Sequence, residues 1–189
     1  MRGFILLIIG LISTICNAQT HLRNQQFVDV QLGAYDHVFP GITHFAVRAG
    51  IGKYTKKVIG NQFFVGYSHK ETPLTDNTST LTSAFSIPVD HYFVGAQSEV
   101  PLFYNAHRTV FFKLPFSVIV GYESINKNTI SFGQYSLQSR SDILLGGCLG
   151  AEIELYNFTV GVRQQINLTS KYQKFSTFPY LGYKLHLFR

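Results

Sequence analysis

The sequence predicts an all-β protein: a single eight-stranded antiparallel up-and-down outer-membrane β-barrel that follows an N-terminal signal peptide. Three observations carry this expectation. Charged residues make up only 14% of the 189 residues and aromatic residues 15%, whereas an average soluble domain is about 25% charged. Beyond Gln19, no apolar run approaches the ~18 residues of a spanning helix. Instead, period-2 alternation recurs along the chain, in segments mostly longer than the roughly 5–6 residues of an average strand. Many match the roughly 9–11 residues that a tilted strand needs to cross hydrocarbon.

The N-terminus reads as a targeting segment. Arg2 supplies a positive start, and Phe4 to Ile12 is apolar except for Gly10. Cys16-Asn17-Ala18 places small residues three and one before a cut, so cleavage after Ala18 leaves Gln19 as the new N-terminus. Residues 1–18 are thus expected to be a signal peptide and 19–189 the barrel domain. Lipidation at Cys16 is disfavoured by the bulky Ile15 before it. The second cysteine, Cys148, then has no partner for an intramolecular disulfide and reads as a small buried hydrophobe.

Each strand is justified by its alternation. Val28, Val30, Leu32 and Ala34 oppose Asp29, Gln31 and Gly33. Phe45, Val47, Ala49 and Ile51 oppose Ala46, Arg48, Gly50 and Gly52. Phe63, Val65 and Tyr67 oppose Gln62, Gly66 and Ser68, with Phe64 out of pattern. Tyr92, Val94, Ala96 and Val100 oppose His91, Gly95, Gln97 and Glu99. Val110, Phe112, Leu114, Phe116, Val118, Val120 and Tyr122 oppose Lys113, Ser117, Gly121 and Glu123. Ile143, Leu145, Leu149, Ala151, Ile153 and Leu155 oppose Leu144, Gly146, Cys148, Gly150, Glu152 and Glu154. Phe158, Val160, Val162, Ile166 and Leu168 oppose Thr159, Gly161, Arg163, Gln165 and Asn167. Leu181, Tyr183, Leu185 and Leu187 oppose Gly182, Lys184 and His186. Long or polar connections fall at Asp36–Gly41, Thr72–Val89, Ser124–Arg140 and Ser170–Ser176. Shorter ones fall at Tyr54–Gly60, Tyr104–Arg108 and Tyr156-Asn157, the last a tight hairpin. Short periplasmic turns alternating with longer outer loops are the habit of such barrels.

An eight-stranded barrel is just wide enough to be filled by side chains. The expected interior charge network comprises Arg48, Glu99, Lys113, Glu123, Glu152, Glu154, Arg163 and Lys184, with His186 beside it. Both signs are present, and such charges must pair because an unpaired buried ion costs several kcal/mol. Glu152 and Glu154 could be a carboxylate pair for acid/base work, but opposite charges on the same face favour a salt-bridge role. The seven histidines show no metal-ligand spacing and no nucleophile elbow is present. Neither an enzyme nor a cofactor or metal is expected. The net charge of +6 is scattered apart from Lys56-Lys57, so direct nucleic-acid binding is not expected either. Tyr35, Tyr54, Tyr67, Tyr92, Tyr104, Tyr122, Tyr156 and Tyr172 lie near strand ends, where interfacial girdles want amphipathic rings.

The last strand, Gly182 to Phe188, alternates to the chain end like the insertion signal of outer-membrane barrels, although aliphatics replace aromatics and Arg189 follows. The segment Gly121-Tyr122-Glu123-Ser124-Ile125-Asn126, followed by Lys127, resembles the TraO family of conjugal transfer proteins of Bacteroides-type conjugative transposons. Ala18-Gln19, Gly146-Gly147 and the closing Gly182-x-x-Leu185-x-Leu187 fit the same likeness. The resemblance implies a non-enzymatic component of a mating apparatus, located in the cell outer membrane. Its partners would be outer-membrane lipids and other conjugation proteins. The alternative is a stand-alone small barrel that acts as an adhesin or envelope-stability protein.

Overall fold

The computed structural model describes residues 21–38, 40–74, 85–126, 130–132, 135–137, 139–170 and 173–187. The expected signal peptide and the Ala18–Gln19 cut lie outside these residues, as does Tyr172. Eight strands close into one barrel: β1 (Gln26–Gly33), β2 (His44–Tyr54), β3 (Gly60–Leu74), β4 (Phe85–Tyr104), β5 (Val110–Ile125), β8 (Arg140–Leu155), β9 (Phe158–Asn167) and β10 (Phe175–His186). A two-stranded hairpin, β6 (Ile130–Phe132) with β7 (Tyr135–Leu137), stands apart within the β5–β8 connection. The barrel order β1-β10-β9-β8-β5-β4-β3-β2 is antiparallel throughout, and β1 pairs with β10 to abolish the sheet edges.

Alternation assigns the faces. In β3, Phe63 is 75% exposed on the outer wall while Phe64 is 3% exposed inside. Val65, Val94, Val118, Val120, Ile143, Leu149, Val160 and Leu181 are likewise exposed outside. The opposite face holds Asp29, Gln31, Gln62, Gln97, Glu99, Lys113, Glu152, Glu154, Arg163 and Lys184, all buried. The pattern is inside-out relative to a soluble protein, in which large apolar side chains are the residues most often hidden.

The two ends differ. At one end, the turn end, the strands are joined by residues 55–59, 105–109 and 156–157. Tyr156 adopts φ 58, the left-handed geometry that a two-residue hairpin imposes. At the other, the loop end, the connection expected at Thr72–Val89 is shorter than the alternation suggested. Pairing continues out to Leu74↔Phe85, because a ladder can run past the end of the apolar pattern. The last strand also begins earlier than expected, at Phe175.

Candidate functional site

The barrel interior gathers the polar chemistry of the chain, and it is layered. At the turn end, Lys113 and Lys184 come from β5 and β10, and Glu99 and Glu154 from β4 and β8. Lys113 Nζ donates to Glu154 Oε2 and, at 3.4 Å, to Glu99 Oε2. Lys184 Nζ donates to Glu99 Oε2 at 2.6 Å and Glu154 Oε2 at 3.2 Å, and lies 3.6 Å from Glu152 Oε1. Aromatic faces line this cluster, with Lys184 5.0 Å above the Phe27 ring and Lys113 5.3 Å above that of Phe111. The cluster is buried, so the pairing must offset a desolvation cost of several kcal/mol per ion.

Residues ahead of β1 close this end. His21 is buried and stacks on Phe111 at 3.7 Å between ring centroids. Its Nε2 lies 3.0 Å from Glu154 Oε1 and 3.1 Å from Lys113 Nζ. Burial outweighs the attraction of Glu154, and Lys113 adds repulsion, so the His21 pKa falls to about 4. At neutral pH the imidazole is therefore uncharged, and its contact with Glu154 is not an ion pair. His186 sits alongside, with Tyr54 Oη 3.1 Å from its Nε2 and Asn157 Oδ1 3.2 Å from its Nδ1.

The next layer joins Glu152, Arg163, Asp29 and three glutamines. Tyr180 donates to Glu152 Oε2 at 2.7 Å, and Arg163 Nη2 lies 3.7 Å from the same oxygen. Arg163 Nη1 donates to Gln31 Oε1 at 2.5 Å, and Gln31 Nε2 to Asp29 Oδ2 at 2.6 Å. Gln62 and Gln97 donate to Glu99 Oε1 at 3.3 and 3.0 Å. Above this lies an apolar layer of Phe64, Ile119 and Leu144, with Phe93 and Cys148 packed against it. The Phe64 ring fits because Gly95 presents no Cβ where the ring passes. This layer explains why Phe64 broke the expected alternation.

Toward the loop end, His91 Nε2 meets Glu123 Oε1 at 2.9 Å, and Ser170 donates to the same oxygen at 2.7 Å. His91 Nδ1 lies 3.3 Å from Tyr35 Oη, which accepts from Ser176 at 3.2 Å. Of the residues expected to form one network, the structure thus brings together Glu99, Lys113, Glu152, Glu154, Arg163 and Lys184. Glu123 belongs to a separate group beyond the apolar layer. Arg48 forms no ion pair with a described carboxylate; its guanidinium lies 3.2 Å above the Phe64 ring centroid. Tyr35 and Tyr54, expected in a surface girdle, are buried inside, because each takes an inward position and finds a histidine for its hydroxyl. Tyr92, Tyr104, Tyr122 and Tyr156 are exposed as expected for a girdle.

The segment Gly121 to Asn126 is a corner. Gly121 faces Phe93, where a Cβ would sit 2.8 Å from the Phe93 Cα and closer still to the Tyr92 carbonyl. Tyr122 points outward, Glu123 inward to His91, and Ser124 is buried. Asn126, at φ 51, ends β5 in the left-handed region that asparagine tolerates, and its N–H donates to Pro88 O at 2.9 Å.

Among the described residues, two groups have metal-ligand atom types in proximity: His21, Glu154 and His186, and Glu99, Glu152 and Glu154. Lys113 and Lys184 place their ammonium groups against these same carboxylates. The lysines stand where a cation would have to bind, so neither group suits a metal. Chemically, the interior is a cross-linked filling that ties seven strands, β1, β3, β4, β5, β8, β9 and β10, through buried ions and amides.

Comparison with solved structures shows the same fold. The chain resembles the N-terminal β-barrel domain of Pseudomonas aeruginosa OprF at 13% identity and TM-score 0.50, covering 87% of this chain and 98% of that one. It resembles Neisserial surface protein A at 15% identity and TM-score 0.50, covering 86% and 97% respectively. No curated protein sequence matches significantly. The profile of the conjugative transposon protein TraO matches residues 22–187, from the segment that closes the turn end to the end of the last strand. The chain belongs to the TraO family of conjugative transposon proteins.

Proposed function

We propose that the chain spans the outer membrane as a non-enzymatic component of a conjugative DNA-transfer apparatus. Family membership carries the conjugative part of this reading. The membrane part is supported by the outward belt. Ile51, Phe63, Val65, Val94, Val118, Ile143 and Leu149 are exposed on neighbouring strands around a closed wall. A soluble monomer rarely exposes so large an apolar surface, whereas hydrocarbon solvates it without cost. The loop end then faces outward and the turn end faces the periplasm.

The filled interior supports a scaffold more than a conduit. The ion cluster and the Phe64 layer fill the interior with buried side chains, so partners act on the loops, the turns or the outer wall. These partners are outer-membrane lipids and other transfer proteins, with no direct contact to nucleic acid. Photo-crosslinkers placed in the loops and turns of the chain in mating donor cells test the reading. Adducts to proteins encoded by the same transfer region are expected. Adducts confined to unrelated envelope proteins would instead favour a stand-alone adhesin or stability protein.

A further inference from the structure

Among the described residues, one interior cation stands outside the pairing described above. Lys113, Lys184 and Arg163 each have a carboxylate oxygen within ion-pair reach. Arg48, only 8% exposed, has none among the described residues, and its Nε and Nη2 find no acceptor. Nor do Nε and Nη2 of Arg163, whose hydrogen bond to Gln31 uses Nη1. Both arginines line one interior cavity of about 40 Å³, shared with Gln31, Phe64, Phe178 and Tyr180. No carboxylate lines it. Asp29 meets Gln31 and Gln62 through Oδ2 and Glu152 meets Tyr180 through Oε2, while Asp29 Oδ1 and Glu152 Oε1 accept no hydrogen bond, and neither carboxylate reaches the cavity wall.

Two buried cations therefore face one void with N–H groups to spare and no counter-charge on its wall. Unmade hydrogen bonds of charged groups are among the costliest defects in a folded interior. The Phe64 and Tyr180 rings stack on the two guanidinium groups, 3.2 and 4.1 Å from centroid to Cζ, which leaves N–H groups in the guanidinium planes unused. A water needs roughly 10–15 Å³ of such space, so the volume suits a monatomic ion. We propose that the barrel holds a halide-class monovalent anion between Arg48 and Arg163, as a structural counter-ion inside the barrel. This site is independent of the proposed role in conjugation.

Thermal unfolding of the full mature chain in detergent tests the site, at fixed pH and matched ionic strength in sodium chloride, bromide, gluconate and sulfate. Chloride and bromide should raise the midpoint over gluconate by roughly 2–4 °C, in the saturable manner of one site. The Arg48→Met variant should lose that halide dependence. Should that variant fail to fold, anomalous diffraction from wild-type crystals grown in bromide reads the site directly, with a peak expected between the two guanidinium groups. Equal wild-type midpoints in halide and gluconate, a halide effect that persists in Arg48→Met, or water alone at the cavity in the bromide map would each overturn the proposal. A rise with sulfate equal to that with halide would show surface ion effects and overturn it too.

Discussion

Replacing Lys184 with methionine removes the ammonium that three carboxylates share while keeping the stem that packs on Phe27. Its contacts to Glu99, Glu154 and Glu152 lie at 2.6, 3.2 and 3.6 Å. At an effective dielectric of about 20, each such pair is worth roughly 5–6 kcal/mol before desolvation is counted. Because desolvation opposes most of this, the observable loss is that of breaking a buried pair from one side, about 3–5 kcal/mol. The damage lies in what remains: Glu99, Glu152 and Glu154 keep their neutral donors but are left with Lys113 and Arg163 as cations. Neutralising one of them should therefore help, so Glu99→Gln combined with Lys184→Met should cost less than the two single losses together, with a coupling of about 1–3 kcal/mol. The chain has no Trp, so urea unfolding of the detergent-refolded barrel is best followed by far-UV circular dichroism, with unheated gel mobility as a second readout. A Lys184→Met variant within about 1 kcal/mol of wild type, or strictly additive losses in the double variant, would refute the view that this cluster is the energetic centre of the interior.

Further outcomes are expected elsewhere. His21, held at about 4 against an ordinary 6.5, binds fewer protons folded than unfolded between those values. Its contribution is therefore complete above about 6.5 and is lost as pH falls toward 4, a difference of about 3 kcal/mol. His21→Phe should flatten the wild-type pH–stability curve in that window, as urea midpoints measured across it would show. Val118→Arg, on the exposed outer wall of β5, should cost about 2–4 kcal/mol in a bilayer, read as unfolding in lipid vesicles. Gly121→Val forces a side chain against the Phe93 backbone 2.8 Å away and should cost at least about 1–3 kcal/mol through overpacking. It should lower the amount of folded protein in the envelope, whereas Tyr122→Phe, outward on the next position, should not.

Alternation exposed the fold because a barrel wall is two-faced, and the period of 2 assigned Glu99, Lys113, Glu152, Glu154, Arg163 and Lys184 to one side. Sequence could not reveal that the inner face itself changes character along the axis. Phe64, Ile119 and Leu144 lie on three different strands, and only register brings them into one apolar layer that cuts Glu123 off from the other charges. Tyr35 and Tyr54 illustrate a related limit. Nearness to a strand end suits a girdle, but the side of the wall that a residue faces decides between lipid and lumen, and both face inward, Tyr54 at the end of β2 and Tyr35 just beyond β1. The partners they find, His91 and His186, are separated from them by 56 and 132 residues. His21 carried no signal at all, since it precedes the first strand and gains its role only by folding back against Phe111 and Glu154. The family was legible in Gly121 to Asn126 and the overall likeness, not in the alternation, which any small barrel shares.

The central claim is that this membrane barrel serves DNA transfer. It is tested most directly by an in-frame deletion of its gene in the mobile element, with mating frequency measured alongside expression of the neighbouring transfer genes. Transfer should fall while those genes remain expressed, and should return when the wild-type chain is supplied in trans and reaches the outer-membrane fraction. Unchanged mating frequency in the deletion strain would contradict the account.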